Sequence, residues 1–261
     1  MSDNSSLLPH RGDAMVPAKR VLFLVLLMLC FATMTSAPST ASHLTDALKL
    51  RDVAQVSSLL AAGADVNEKI RGDYPLNIAA TYGPVEMVTL LLDAGANLEQ
   101  PGRDGLHPLH NAVALGHKDI LALLIRRGAV VDAKDRLGRT PLITCANNGG
   151  DIEIARMLLA AGADPRIEDV DGTPALNIAA QLGNVKLGEM LLAANADINH
   201  KDSGYESPLT AAMYHSRHDF VRMLIRHGVD VNQEERPGHK PLKNFAKDAA
   251  MQKLLIDAGA N

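Results

Sequence analysis

The sequence predicts an all-α solenoid of about seven stacked helix–turn–helix units, and three observations predict it. Pro75, Pro108, Pro141, Pro174, Pro208 and Pro241 lie 33, 33, 33, 34 and 33 residues apart. Gly63, Gly95, Gly128, Gly162, Asn195, Gly228 and Gly259 keep the same period, at intervals of 32, 33, 34, 33, 33 and 31. Between the two series, apolar residues recur at the i, i+3, i+4 spacing of a helix with one buried face, as in Ile120, Leu123 and Leu124. Two independent markers on one period mean a structural repeat. The core must be aliphatic: 47% of the 261 residues are apolar, yet there is no Trp and only four Phe and four Tyr.

Ahead of the repeats, residues 1–41 read as an export signal with a short polar linker. Lys19 and Arg20 precede the apolar run Val21 to Met34, and a Pro/Ser/Thr stretch follows. Fourteen such residues make a helix of roughly 21 Å, short of the roughly 30 Å hydrocarbon core, so no stable membrane span is expected after cleavage. Ser39 and Ala41 are small enough for a cleavage site that leaves Ser42 as the new terminus. Removal takes Cys30 with it and leaves Cys145 alone, which excludes an internal disulfide in the exported chain. Three basic and two acidic residues also leave, moving the formal charge from −4 to −5. That balance offers a polyanion no bulk attraction, so nucleic acid is not an expected partner.

Residues 44–70 form the first unit, a cap. Gln55, Ser58 and Leu59 stand there where later units carry three apolar residues, and a stack needs a polar outer face at its end. Repeats follow at about 71–102, 103–134, 135–168, 169–200 and 201–233, with a C-terminal unit at 234–261. In each, an inner helix is expected to begin at the Pro. Thr140, Thr173 and Ser207 precede their Pro, and a hydroxyl N-cap before Pro at the first helical position marks a helix start. Outer helices bury Met87, Leu90, Leu91 and their equivalents through Met251, Leu254, Leu255. The Gly series closes them, because the chain there needs a left-handed residue; Asn195, the substitute in one repeat, tolerates that conformation. Local departures are an extra residue near Gly149 and Gly150, Ala175 inserted after Pro174, and Ser216 where a turn glycine is usual.

These residues resemble the ankyrin repeat. Pro75-Leu-Asn-Ile-Ala-Ala80, His107-Pro-Leu-His110, Thr140-Pro-Leu142 and the tails Gly63-Ala-Asp-Val-Asn67 and Gly228-Val-Asp-Val-Asn232 carry the resemblance, which covers residues 44 to 261. It implies short β-hairpin fingers between units and a concave groove lined by fingers and inner helices. It also implies a non-enzymatic module that binds another protein. Short exported arrays are similar to periplasmic bacterial ankyrin proteins, which implies support of an oxidative-stress enzyme or immunity against a cell-wall hydrolase. The alternatives are a secreted effector acting on a host protein and a metal-dependent hydrolase.

Residues that the repeat does not need locate the expected binding surface. The resemblance places Tyr74 and Tyr205 on fingers and Tyr82 and Tyr214 on the inner helices of the same two repeats. Tyr buries much area with few rotors and is enriched at interface hot spots. Arg103, Arg136 and Arg139 lie on the fingers between them, with Asn147 and Asn148 below and Asp73, Asp171 and Glu206 interrupting the positive charge. A protein partner suits that mixture, and the chain itself is expected to be a monomer.

Little else suggests chemistry. His215 and His218, with Asp219 close by, are the residues a metal-dependent hydrolase would use, but they align with a polar turn. His107 and His110 fall where the repeat uses His to brace neighbouring fingers. Cys145 aligns with Ala79 and Ala112 as a small core residue, and the outer-helix methionines read as packing. Phosphate loops, nucleophile elbows and zinc-protease motifs are absent, so no cofactor is expected.

Overall fold

A computed structural model describes residues 40–234, 238 and 248–260. The export signal, Pro241 and the inner helix expected after it lie outside those residues. Among the described residues there are thirteen α-helices and no strand. The first six pairs, inner then outer, are α1 (Thr40–Leu50) with α2 (Val53–Ala61), α3 (Pro75–Tyr82) with α4 (Val85–Asp93) and α5 (Pro108–Ala114) with α6 (Lys118–Arg126). They continue with α7 (Pro141–Asn147) and α8 (Ile152–Ala160), α9 (Ala175–Leu182) and α10 (Val185–Ala193), and α11 (Pro208–Tyr214) and α12 (His218–Arg226). The outer helix α13 (Ala249–Asp257) closes the series.

Helix starts follow the proline rule with one correction. Pro75, Pro108, Pro141 and Pro208 each occupy the first turn, and the Thr140 and Ser207 hydroxyls accept the N–H groups of Ile143 and Thr210. At the fourth repeat Pro174 is itself the cap and α9 begins at Ala175. Thr173 is therefore no cap; its N–H donates to Asp169 Oδ1 at 2.9 Å within the finger. The finger has its neighbours' length, six residues from Asp169 to Ala175 as from Asp135 to Pro141, so Ala175 is not an insertion but takes the place that Pro holds elsewhere, and the one extra residue lies in the turn at Gly149 and Gly150. α1 also reaches back to Thr40, so the expected cleavage bond falls within its first turn. Leu44, Ala47 and Leu48 are fully buried there, which gives this helix its reason to form.

All seven residues of the glycine series have positive φ, from 67° at Asn195 to 94° at Gly162. Inner helices pack on inner helices and outer on outer along the whole series. Ile120, Leu124, Ile154, Leu158, Leu187, Leu191, Phe220 and Leu224 lie in one continuous apolar core. One glycine is required by packing rather than conformation. A Cβ on Gly188 of α10 would meet the Phe220 ring at 2.7 Å and Met223 Cε at 2.6 Å. The largest buried side chain of α12 sits in the space that Gly188 leaves.

Side chains at a fixed helical position lock each unit to the next. Asn77 and Asn177 donate through Nδ2 to the carbonyls of Leu106 and Glu206, each at 2.9 Å, and His110 Nε2 meets the Arg139 carbonyl at 2.9 Å. Each accepting residue lies two before the first residue of the next inner helix. The bracing role expected for His110 is present. Its ring is fully buried, and burial lowers its pKa to about 4.

The fingers are turns rather than the expected β-hairpins. Among the described residues only isolated bridges form, at Ile70 with Asp73 and Glu168 with Pro174. An aspartate occupies the place of a ladder: Asp135 Oδ1 accepts the N–H groups of Leu137 and Arg139, and Asp202 Oδ1 those of Gly204 and Glu206. Neighbouring tips are joined through backbone, by Arg136 N–H to Asp104, Val170 N–H to Leu137 and Ser203 N–H to Asp171.

Candidate functional site

Solvated apolar side chains are concentrated on one face. Ten large hydrophobic residues are exposed among the described residues, and eight of them lie on finger tips or at the last turn of inner helices, Leu50 in the cap and seven in the repeats. Tyr82, Leu115 and Leu182 stand at the same place in three repeats, with Asn148 and His215 in that place in the other two. Tyr214 is one residue earlier in its helix, aligned with Asn147. Leu137, Val170 and Tyr205 form a second row on the tips of three successive fingers. Burial of such groups is favourable by roughly 25 cal/mol per Å², so a row left in water by the folded chain is available for association.

Leu115, Leu182, Leu137 and Val170 escape a search by residue type. Leucine and valine are ordinary core residues, and only their column in the repeat, shared with Tyr82 or with the finger tips, separates them from the core. That column is present in the 33-residue alignment and is the signal that finds them.

Tyr205 carries a further mark. Its φ is 66°, in the left-handed region, at the finger position held by Gly72, Gly105, Gly138 and Gly172 with φ of 71° to 94°. A bulky residue is strained there by about 1–3 kcal/mol. More than half of its surface is nevertheless exposed, at 55%, so core packing is no compensation.

The remaining expected residues divide into open and tied groups. Asn147 is exposed at the end of α7, whereas Asn148 donates through Nδ2 to the Ala114 carbonyl at 3.3 Å. Tyr74 is half-buried at the start of α3; Gln100 Nε2 donates to its hydroxyl at 2.8 Å and Lys69 Nζ lies 5.5 Å from its ring centroid. Arg103 donates to the Arg71 carbonyl at 2.7 Å and pairs with Asp73 at 3.3 Å, linking two fingers. Arg136 reaches Asp104 at 3.6 Å. Arg139 is held most firmly, by Nη2 and Nε contacts of 2.7 and 2.8 Å to the buried Asp135 carboxylate. Burial pushes the Asp135 carboxyl up, but the side-chain and backbone hydrogen bonds from Arg139 outweigh it and hold the pKa below its ordinary value. The solvent-exposed face is thus built from Tyr82, Asn147, Tyr205 and Tyr214 with Leu50 and the four aliphatic residues, while Tyr74, Arg103 and Arg139 stiffen the fingers that carry it.

The histidine turn is organised as structure. His218 Nδ1 faces the Ser216 carbonyl at 2.9 Å and Nε2 faces Asp248 at 3.1 Å, so both ring nitrogens are engaged. His215 lies exposed at the end of α11. Among the described residues no group of three or more His, Cys, Asp or Glu side chains is arranged to hold a metal ion. Cys145 is 2% exposed with Sγ 3.5 Å from the Asp151 carbonyl oxygen, and burial pushes its thiol up to about 12, away from thiolate chemistry. No described helix is long and apolar enough to cross a membrane.

Helix pairs repeated on one period, joined by short fingers and packed only on their neighbours, define a helical-repeat solenoid. The chain matches the family model for ankyrin repeats in three overlapping copies, at residues 44–135, 131–202 and 176–261, and it belongs to the ankyrin repeat family. Ankyrin repeats are a protein–protein interaction module. No curated protein matches the chain.

Proposed function

We propose that this is an exported, non-enzymatic binding protein that holds a protein partner on its finger and inner-helix face, the concave side of an ankyrin stack. The observation that carries the reading is the placement of eight of the ten exposed large hydrophobic residues on that face, among the described residues. Strain retained at Tyr205 supports it, because functional surfaces are where such strain is kept. Export rests on Lys19, Arg20 and the apolar run that follows, and the periplasm is the compartment proposed. Within it, the protein acts as a monomer, either supporting an oxidative-stress enzyme or neutralising a cell-wall hydrolase. A face spanning five repeats can supply the roughly 800 Å² per partner of a stable complex.

Affinity capture from an envelope extract of the source organism tests the reading, using the wild-type chain beside a Tyr82→Ala, Tyr214→Ala variant. A protein retained by the wild type and lost by the variant, at an unchanged thermal midpoint, is the expected result. Equal retention by both would move the site off this face.

A further inference from the structure

We infer that the partner is anchored at the junction of finger three (residues 134–139) and finger four (residues 168–173), by a segment that carries one large apolar side chain between an acidic residue and a basic one. The inference rests on the inner-face reading above and names the chemistry that this face selects.

The formal charge of the finger edge changes sign at that junction. In the first two fingers the signs balance, Lys69, Arg71 and Arg103 against Glu68, Asp73 and Asp104. Finger three carries Lys134, Arg136 and Arg139 against Asp135 alone, whereas finger four carries Glu168, Asp169 and Asp171 with no cation. Neighbouring fingers thus hold +2 and −3, about one packed-helix spacing of roughly 8–10 Å apart. Cations outside the listed ion pairs also stand at Arg51, Lys186 and Arg217, but at the opposite ends of inner helices α1, α9 and α11, away from the fingers.

Two apolar tips meet where the sign changes. Leu137 and Val170 are 51% and 62% exposed, and the Val170 N–H donates to the Leu137 carbonyl at 2.9 Å. The approach is close because Gly138 has no side chain: a Cβ there would lie 3.0 Å from the Val170 nitrogen. Lys134 Nζ adds a bond to the Glu168 carbonyl at 3.1 Å. Tips held together in this way form a platform before any partner arrives, and preorganised groups lose little freedom on binding.

The side chains of Arg136, Leu137, Val170 and Asp171 are not needed to build that platform. Asp135 and Asp169 close the two turns through their own carboxylates, and the tips join through backbone. Asp171 is exposed and joins no ion pair among the described residues. Arg136 reaches only Asp104, at 3.6 Å with side chains 72% and 78% exposed, a pairing that water largely cancels. Arg139 and Glu168, by contrast, are engaged by Asp135 and His200. A cation, two apolar groups and an anion are therefore presented to water side by side. Their complement is an acid, an apolar group and a base, and like charges set against either end would exclude other partners.

Selection of a displayed library of random peptides of about 12 residues, long enough to cross the finger edge when extended, against the full chain tests this. The expected result is enrichment of sequences with a leucine or an aromatic residue between an acidic and a basic one. Their binding should fall about tenfold or more on combined Leu137→Ser and Val170→Ser substitution, and about fivefold or more on Asp171→Lys. Replacing the basic residue of the peptide by glutamate should restore binding to the Asp171→Lys chain. The thermal midpoint of each variant should hold, since these side chains are exposed. Loss of binding in the Tyr82→Ala, Tyr214→Ala variant with none in the tip variants would place the anchor elsewhere on the face and overturn this inference alone. Peptides indifferent to both sets of substitutions, or no enrichment, would overturn the face as well. A dimer in sedimentation that Arg136→Glu dissolves would give the junction to a second copy of the chain and overturn the inferred partner.

Discussion

At the scale of single residues, Tyr205 and His110 show stability set against two different demands. Tyr205 holds a left-handed conformation that four other fingers give to glycine. Tyr205→Gly is expected to raise stability by about 1 kcal/mol and to weaken partner capture, a pairing that thermal melts and pull-down check together. A melting point that falls would mean the ring packs against the fold. His110 titrates near 6.5 when unfolded and about 4 when folded. Between those values the unfolded chain binds a proton that the fold refuses. Stability is therefore full above pH 6.5 and declines as pH drops toward 4, by about 3 kcal/mol in all. Denaturant titrations at pH 7 and pH 4.5 should show that loss, and His110→Gln should reduce it; an equal acid loss in the variant would assign it to other groups. The bracing place of His110 is legible in the sequence because the motif around it is. The strain at Tyr205 is not, since Ser203-Gly-Tyr205 moves the glycine away from the position that turns left-handed, and only the backbone reveals which residue takes it.

Among the elements, the phase of the outer helices was legible at its first and last positions, as in Met87 and Leu91, because the 3.6-residue and 33-residue periods constrain each other. Leu90, Met157, Met190 and Leu254 between them are only half-buried, and Val88, Ala155 and Gly188 are buried instead. Leu124→Ala in α6 removes a fully buried side chain and should cost about 2–5 kcal/mol by denaturant unfolding. A neutral result would place that face in solvent. Gly188→Ala in α10 is expected to cost about 1–3 kcal/mol despite improved helix propensity, because the added methyl enters the space of the buried Phe220 ring; a stabilising outcome would show that the ring yields. The boundary error at Pro174 has a local cause. The residue added at Gly149 and Gly150 moves the next helix start one place along while Pro174 keeps the 33-residue step, so Pro falls on the cap, and either placement satisfies the geometry of a proline at a helix start. The finger form was hidden for a different reason. Whether a short loop closes with paired strands or around an aspartate depends on where one carboxylate points, and spacing does not carry that information. The same holds for Arg103 and Arg139, which read as open cations in the sequence and are spent in the fold on Arg71, Asp73 and Asp135.

For the whole molecule, each unit packs on its neighbours alone, so stability is close to a sum over units and interfaces. Such a stack has one core drawn out along its length, and what it offers a partner is its faces. One of them carries most of the exposed large hydrophobic side chains. The architecture was legible from the repeat, and the face in part, through its tyrosines. Its aliphatic half emerged only when exposure was known. Hydrogen exchange on the complex with a captured partner tests the central claim most directly. The account predicts slowed exchange in the finger tips and at the C-terminal turns of α3, α5, α9 and α11, with the outer helices unchanged. Protection confined to the outer helices, with fingers exchanging as in the free protein, would contradict it.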